Sequence, residues 1–250
     1  MCDDCELFTP KNNCVQMRYS IVIPCYNEEE NLPRLIETVR ELAEGKDIEF
    51  ILVENGSKDN SYEVMLSLTD GISYIKIVKV EVNQGLGYGI HQGILHAQGD
   101  YIGWIHADMQ TPVSDIEKLF HSLKNRGGEN IMVKATRHNR SYTDYFFTNC
   151  MAIYCSIVFK LFLYDIQAVP VIASRSLFDK MTDMPDGFSF DMFVYWQARK
   201  RNFYVKRVPV RIFKREKGNS SWNSGLNARI RLSRYMIKAA CKMAKGDFRV

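Results

Sequence analysis

Apolar residues recur along the chain in two rhythms. Four short β-branched runs, Tyr19 to Pro24, Glu49 to Val53, Tyr74 to Val80 and Tyr101 to Ile105, read as strands. Asn31 to Leu42, Gly85 to Ala97 and Val113 to Leu123 instead repeat apolar positions at steps of three and four, as a helix with one buried face does. This succession of strands and helices predicts a mostly parallel central sheet flanked by helices on both faces, an α/β fold. Ligands of such open sheets lie beyond the carboxyl ends of the strands. The residues there are polar: Cys25-Tyr26-Asn27-Glu28-Glu29-Glu30, Glu54-Asn55-Gly56-Ser57, Asn83-Gln84-Gly85 and His106-Ala107-Asp108-Met109-Gln110. Taken singly, Asn27, Ser57 and Thr111 are expected to do no more than cap the helices that follow.

Length and composition narrow the picture. With 250 residues, 46% hydrophobic and 25% charged, the chain supports one sizeable core. The expected layout is a flexible segment at 1–17, one domain at 18–224 with halves 18–112 and 113–224, and a basic helix at 225–250. Seven irregularly spaced cysteines and no opening secretory pattern point to a reducing cytoplasm. Cys2, Cys5 and Cys14 form at most half a zinc site and are read as incidental thiols. The net charge of +4 hides an asymmetry: residues 199–250 hold 16 Lys and Arg against Glu216 and Asp247, a net of +14, so the first 198 residues carry a net of −10. The C-terminal part therefore meets something anionic. No nucleic-acid-binding motif accompanies the charge, so nucleic acid is not expected as a partner.

The motif order carries more information than any one loop. Val22-Ile-Pro24-Cys-Tyr26-Asn27-Glu28, Val53-Glu54-Asn55-Gly56-Ser57-x-Asp59, Asn83-x-Gly85-x-Gly87 and Ala107-Asp108-Met109-Gln110-x-Pro112 together resemble the donor-binding half of family 2 glycosyltransferases over residues 18–215. That resemblance implies a single GT-A (Rossmann-like) domain. His106-Ala107-Asp108-Met109-Gln110 is similar to the Asp-Ala-Asp-Leu-Gln signature of dolichol-phosphate mannosyltransferases and bacterial polyprenyl-phosphate glycosyltransferases. It implies an inverting enzyme that moves a sugar from a nucleotide-diphosphate donor to a lipid-linked or glycan acceptor.

A leaving nucleoside diphosphate gains negative charge, which a divalent cation such as Mg²⁺ or Mn²⁺ on carboxylate oxygen neutralises. Asp108 is the expected metal ligand, and the resemblance makes Gln110 the second, at i+2 on one side of an extended segment. His106 replaces the motif's first acid and either shifts metal preference toward transition ions or hydrogen-bonds the donor. By the same resemblance Pro24, Tyr26, Glu28, Glu54, Asn83, Gly85, Arg137, Arg215 and Ser220 join in nucleotide-sugar binding. Gly85-x-Gly87-x-Gly89 follows the third strand and lacks dinucleotide-loop spacing.

The acceptor decides what else is needed. A sugar hydroxyl requires a base, and Asp191 is the candidate, with a helix N-cap or a solvated carboxylate as its plain alternatives. A lipid phosphate is already ionised and requires cationic forks, for which Arg137, Arg140, Arg175 and Arg215 are available. A silent nucleotide-sugar-binding protein is the rival class, given His106 and Glu54-Asn55 in place of acidic pattern residues. Phe146 to Tyr164 reads as a buried or interfacial helix. Leu226 to Lys245 reads as a basic amphipathic helix, either lying on anionic lipid as a peripheral anchor or packed on the sheet.

Overall fold

The structure is a computed structural model and describes residues 18–124, 130–179, 181, 183–213, 215, 217 and 226–248. The expected flexible segment 1–17, with Cys2, Cys5 and Cys14, and the site residue Ser220 lie outside the described residues. Strand β1 (Tyr19–Cys25), helix α1 (Leu32–Ala43), β2 (Ile48–Asn55), α2 (Ser61–Thr69), β3 (Ile75–Val80), α3 (Leu86–His96) and β4 (Tyr101–Trp104) follow the predicted alternation. A short 3₁₀ turn (Val113–Asp115) leads into α4 (Ile116–Lys124), then β5 (Ile131–His138), α5 (Tyr142–Phe159) and β6 (Val171–Ser174). Helix α6 (Phe190–Lys200), β7 (Tyr204–Arg211) and α7 (Leu226–Ala244) complete the order.

All seven strands form one sheet in the order β3-β2-β1-β4-β6-β5-β7. Only β6 runs against its neighbours, antiparallel to β4 and β5, so the mostly parallel α/β fold holds. Chain order reverses direction between β1 and β4, which opens a crevice at their carboxyl ends. Alternation along the strands divides the core. Ile21, Ile23, Phe50 and Leu52 pack with α1 and α4 on one face, whereas Val22, Ile51, Val53 and Trp104 pack with α3, α5 and α6 on the other. Helix α3 lies close on β1 and β2 because Gly93 has no side chain: a Cβ there would stand 2.3 Å from Val22 Cγ1.

Three strands escaped the pattern, for different reasons. Lys134 interrupts β5, β6 is four residues long, and Pro209 lies within β7, a position tolerated because β7 is an edge strand. The helix read from Phe146 onward starts earlier, where Ser141 Oγ accepts from the Asp144 N–H, and ends at Lys160, whose φ of 53° is left-handed. Helix α7 does not stand apart from the domain. It buries Met236, Ala239, Ala240 and Met243 in the core beside α5 and α6, and its basic side faces out. Among the described residues no helix is long and apolar enough to cross a membrane.

Candidate active site

The loops after β1 and β2 are laced to each other, and Asp59 also accepts from the Ser61 N–H at the start of α2 (3.0 Å). Asn27, at φ 55°, donates its backbone N–H to Ser57 Oγ (3.1 Å) and accepts from the Lys58 N–H through Oδ1 (2.8 Å). The Glu28 N–H donates to Ser61 Oγ (2.9 Å), and the Asn60 N–H to Glu29 Oε2 (2.9 Å). The capping expectation therefore fails: the residues at the N-cap positions of α1, α2 and the 3₁₀ turn are Asn31, Asn60 and Pro112, none with a side-chain cap bond. Asn27 and Ser57 instead hold one rim of the crevice rigid.

The crevice encloses about 2050 Å³. Pro24, Tyr26, Glu28, Asn83, Gly85, His106, Asp108, Gln110, Arg137 and Arg215 line it, all expected from sequence. Two expected residues do not. Glu54 is 3% exposed and lies under the rim, where its Oε1 accepts from the Ser57 N–H (2.5 Å). Its neighbour Asn55 lines the crevice instead, with Nδ2 bonded to the Gly85 carbonyl and Oδ1 buried without a partner. Asp191 is the second. It is 1% exposed in the first turn of α6 and accepts from the Trp104 indole N–H (2.8 Å). It is neither N-cap, which is Ser189, nor solvated, and it does not line the crevice.

Asp108 points into the polar crevice, but not along an extended segment. Met109 adopts φ 56°, an unusual conformation for its side chain, and folds the segment so that the Gln110 N–H donates to Asp108 Oδ1 (3.1 Å). The Gln110 carbonyl accepts from the Phe213 N–H (2.8 Å), which ties this turn to the chain beyond β7. The strained turn, not the pleat, folds the Asp108 carboxylate back onto the Gln110 backbone while both residues line the crevice. Among the described residues no group of three or more His, Cys, Asp and Glu side chains is arranged to hold a metal ion by itself. A hard divalent cation at a phosphate site needs only one or two protein oxygens, the ligand supplying the rest, so the donor set fits one. His106 Nε2 is buried beside it without a partner.

Arg215 reaches across from beyond β7 and donates to Glu28 Oε1 (2.6 Å) while its Nε donates to the Lys217 carbonyl (2.8 Å). Burial raises the Glu28 carboxyl above its ordinary value and the Asp108 charge adds to this, against the lowering effect of Asn31 and Arg215. The far end of the crevice is cationic. Arg137 forks onto Asp165, which also accepts from the Arg137 backbone N–H (2.7 Å), and Arg140 donates to Thr148 Oγ1 (2.8 Å). Burial alone would raise the Asp165 carboxyl, yet Arg137 holds it below its usual value. Arg175 is not part of this end: it ties the Gly99 and Ala97 carbonyls (2.8 and 2.9 Å).

Thr148, Gln167 and Arg229 also line the far end, and Lys134 lies buried nearby with Nζ on the Ala168 carbonyl (2.6 Å). No motif announced them, since they come from separate segments. For Lys134 alone the sequence carried a signal, a lysine set within the apolar start of β5.

A large crevice at the switch point, lined both by the Asp108 turn and by arginines, is where an open α/β sheet of the Rossmann-like kind holds its ligands. The chain belongs to the Glycosyl transferase family 2, whose model matches residues 20–171. Two curated relatives from Trichomonas vaginalis are similar to it: dolichyl-phosphate beta-glucosyltransferase ALG5A, 36% identical over 42% of this chain, and ALG5D, 33% identical over 44%. The matches take in 35% and 36% of these relatives, so the chain spans about a third of their length. Among solved structures, glucosyl-3-phosphoglycerate synthase from Mycobacterium tuberculosis in complex with uridine diphosphate has a TM-score of 0.71 at 18% identity, covering 93% of this chain and 81% of that one. The same enzyme with Mn²⁺, uridine diphosphate and glucosyl-3-phosphoglycerate has a TM-score of 0.70 at 16% identity, with the same coverage. These structural likenesses establish the shared fold.

Proposed function

We propose that this chain transfers a sugar, with inversion, from a nucleoside diphosphate donor to a lipid-linked phosphate at the cytoplasmic face of a membrane. The observation that carries the reading is a single crevice lined by Asp108 and Gln110 as well as by Arg137 and Arg140. The names of the Trichomonas relatives, which act on dolichyl phosphate, support the acceptor. Solved neighbours of this fold were crystallised with uridine diphosphate and Mn²⁺ or Mg²⁺, which supports the donor and a divalent cation.

Asp108 and Gln110 would hold the cation, which supplies charge neutralisation for the departing diphosphate. Pro24, Tyr26 and Asn83 border the space for the nucleoside, and Asn55 braces it from beneath through the Gly85 carbonyl. Glu28 keeps the Arg215 guanidinium at the crevice edge, next to where the pyrophosphate would lie. Arg137 and Arg140 orient the acceptor phosphate, one oxygen of which forms the new bond to the anomeric carbon as the bond to the diphosphate breaks. An ionised phosphate oxygen needs no base, in keeping with the buried position of Asp191.

A donor panel with Mn²⁺ or Mg²⁺ tests the reading, scored by nucleotide release with a short-chain polyprenyl phosphate and with phosphoglycerate as acceptors. Release with the polyprenyl phosphate is expected, and loss of it in Asp108→Ala with folding retained. Turnover with phosphoglycerate alone would move the acceptor to a soluble hydroxyl, which needs a base, and binding of donors without release from any would show a silent binder.

A further inference from the structure

Helix α5 is apolar on more sides than its packing uses. Ala152, Cys155 and Phe159 enter the core, yet Tyr142, Phe146, Cys150, Ile153 and Ile157 follow one another at steps of three and four on an exposed stripe. Phe146 is 66% exposed, Ile153 62% and Ile157 72%, and Phe162 continues the stripe past the helix at 74%. Single exposed apolar residues are ordinary, but a continuous row of them marks a surface meant to be covered.

Helix α7 lies alongside. Tyr154 Oη is 2.9 Å from Cys241 Sγ, and Arg229 reaches Asp144 (3.1 Å) and Thr143 (3.1 Å), so the two helices run in the same direction in contact. From α7 the exposed side chains Arg231, Arg234 and Lys238 flank Ile230 and Ile237, and the helix contains no Asp or Glu. The crevice opens between the two helices, where Phe147 and Met151 of α5 face Leu232 and Met236 of α7.

We propose that the α5 stripe and the exposed basic side of α7 form one face that docks on an anionic lipid bilayer, with α5 as the inserting element. Apolar side chains enter the acyl boundary while the long basic side chains keep their charge at the headgroup level. Charge complementarity selects this occupant. A second copy would set acid-free, cationic α7 faces against each other, and nucleic acid offers nothing to the apolar stripe. The same face brings the arginine end of the crevice to the membrane. The purpose of the docking rests on the proposed lipid acceptor, but its measurement does not.

The test is co-sedimentation of the chain, without donor or acceptor, with vesicles of phosphatidylcholine alone and with phosphatidylserine added. Wild-type chain is expected to bind the anionic vesicles. Ile153→Ser/Ile157→Ser lowers that partitioning about tenfold or more and leaves uridine diphosphate binding unchanged. Arg234→Glu/Lys238→Glu lowers it on anionic vesicles, and added salt brings wild type toward the charge variant. Wild-type binding by the isoleucine variant overturns the proposal, as does its conversion of a dimer to a monomer with vesicle binding intact. Absence of wild-type vesicle binding alongside turnover of a short-chain acceptor overturns this inference alone. Vesicle binding without nucleotide release overturns only the catalytic reading.

Discussion

Lys134 is fully buried in β5 and gives the sharpest stability prediction. Its Nζ donates to the Ala168 carbonyl and stands 5.8 Å from the Tyr195 ring centroid. Burial lowers its pKa from 10.5 to about 7, with Arg207 and Arg137 adding to the shift against Asp191 and Asp165. At about 1.4 kcal/mol per unit, that shift disfavours the folded ammonium by roughly 5 kcal/mol below neutral pH. Lys134→Met removes the charge at similar volume but leaves the Ala168 carbonyl unpaired, a loss of about 3 kcal/mol at most. The variant is thus expected to be about 2 kcal/mol more stable than wild type at about pH 6. A base whose folded pKa is depressed binds fewer protons folded than unfolded between the two values, so wild-type stability rises with pH across that window. The disfavour falls to roughly 2 kcal/mol by about pH 9, where the variant becomes the less stable protein by about 1 kcal/mol. Urea unfolding at the two pH values checks this. A difference of equal size at both would refute the buried-ammonium reasoning.

Arg215→Ala is expected to lower kcat/KM for the donor about a hundredfold through loss of a charge-assisted contact. It also frees Glu28 from a lowering influence, so any acidic limb set by Glu28 moves to higher pH; an unchanged rate and profile would remove Arg215 from the site. Gly93→Ala forces a methyl to 2.3 Å from Val22 Cγ1 and should destabilise the chain by about 2 kcal/mol, read as a lower melting temperature. Trimming α7 removes Met236, Ala239, Ala240 and Met243 from the core, so it should lower thermal stability together with nucleotide affinity. Loss of vesicle binding with unchanged stability would instead make α7 a detachable anchor.

The first half of the fold was legible because β1 to β4 obey the rule that a buried strand is an uninterrupted apolar run between turn residues. The second half was not, because β5 carries a buried lysine satisfied by the distant Ala168 carbonyl and β7 a proline tolerated only at the sheet edge. Site legibility divides in the same way. Residues at strand ends, Glu28, Asn83, His106 and Asp108, reach the crevice because topology places every strand end there. Glu54 and Asp191 lie beneath the crevice wall, and chain position does not reveal which side chain a rim backbone N–H or an indole captures. The Asp108 turn was read as extended because nothing in a methionine announces a left-handed residue. Arg140, although seen as a phosphate candidate, gains its setting only from Thr148 and Asp165 in later segments.

Titration of Mn²⁺ into the chain with and without uridine diphosphate, followed by electron paramagnetic resonance of the free ion, tests the role of Asp108 most directly. Wild-type chain is expected to take up one Mn²⁺ tightly only when the diphosphate is present, since Asp108 and Gln110 supply too few oxygens alone. Asp108→Ala should retain its fold and lose that uptake. Equal Mn²⁺ binding by the variant would contradict the claim that this carboxylate links cation and donor.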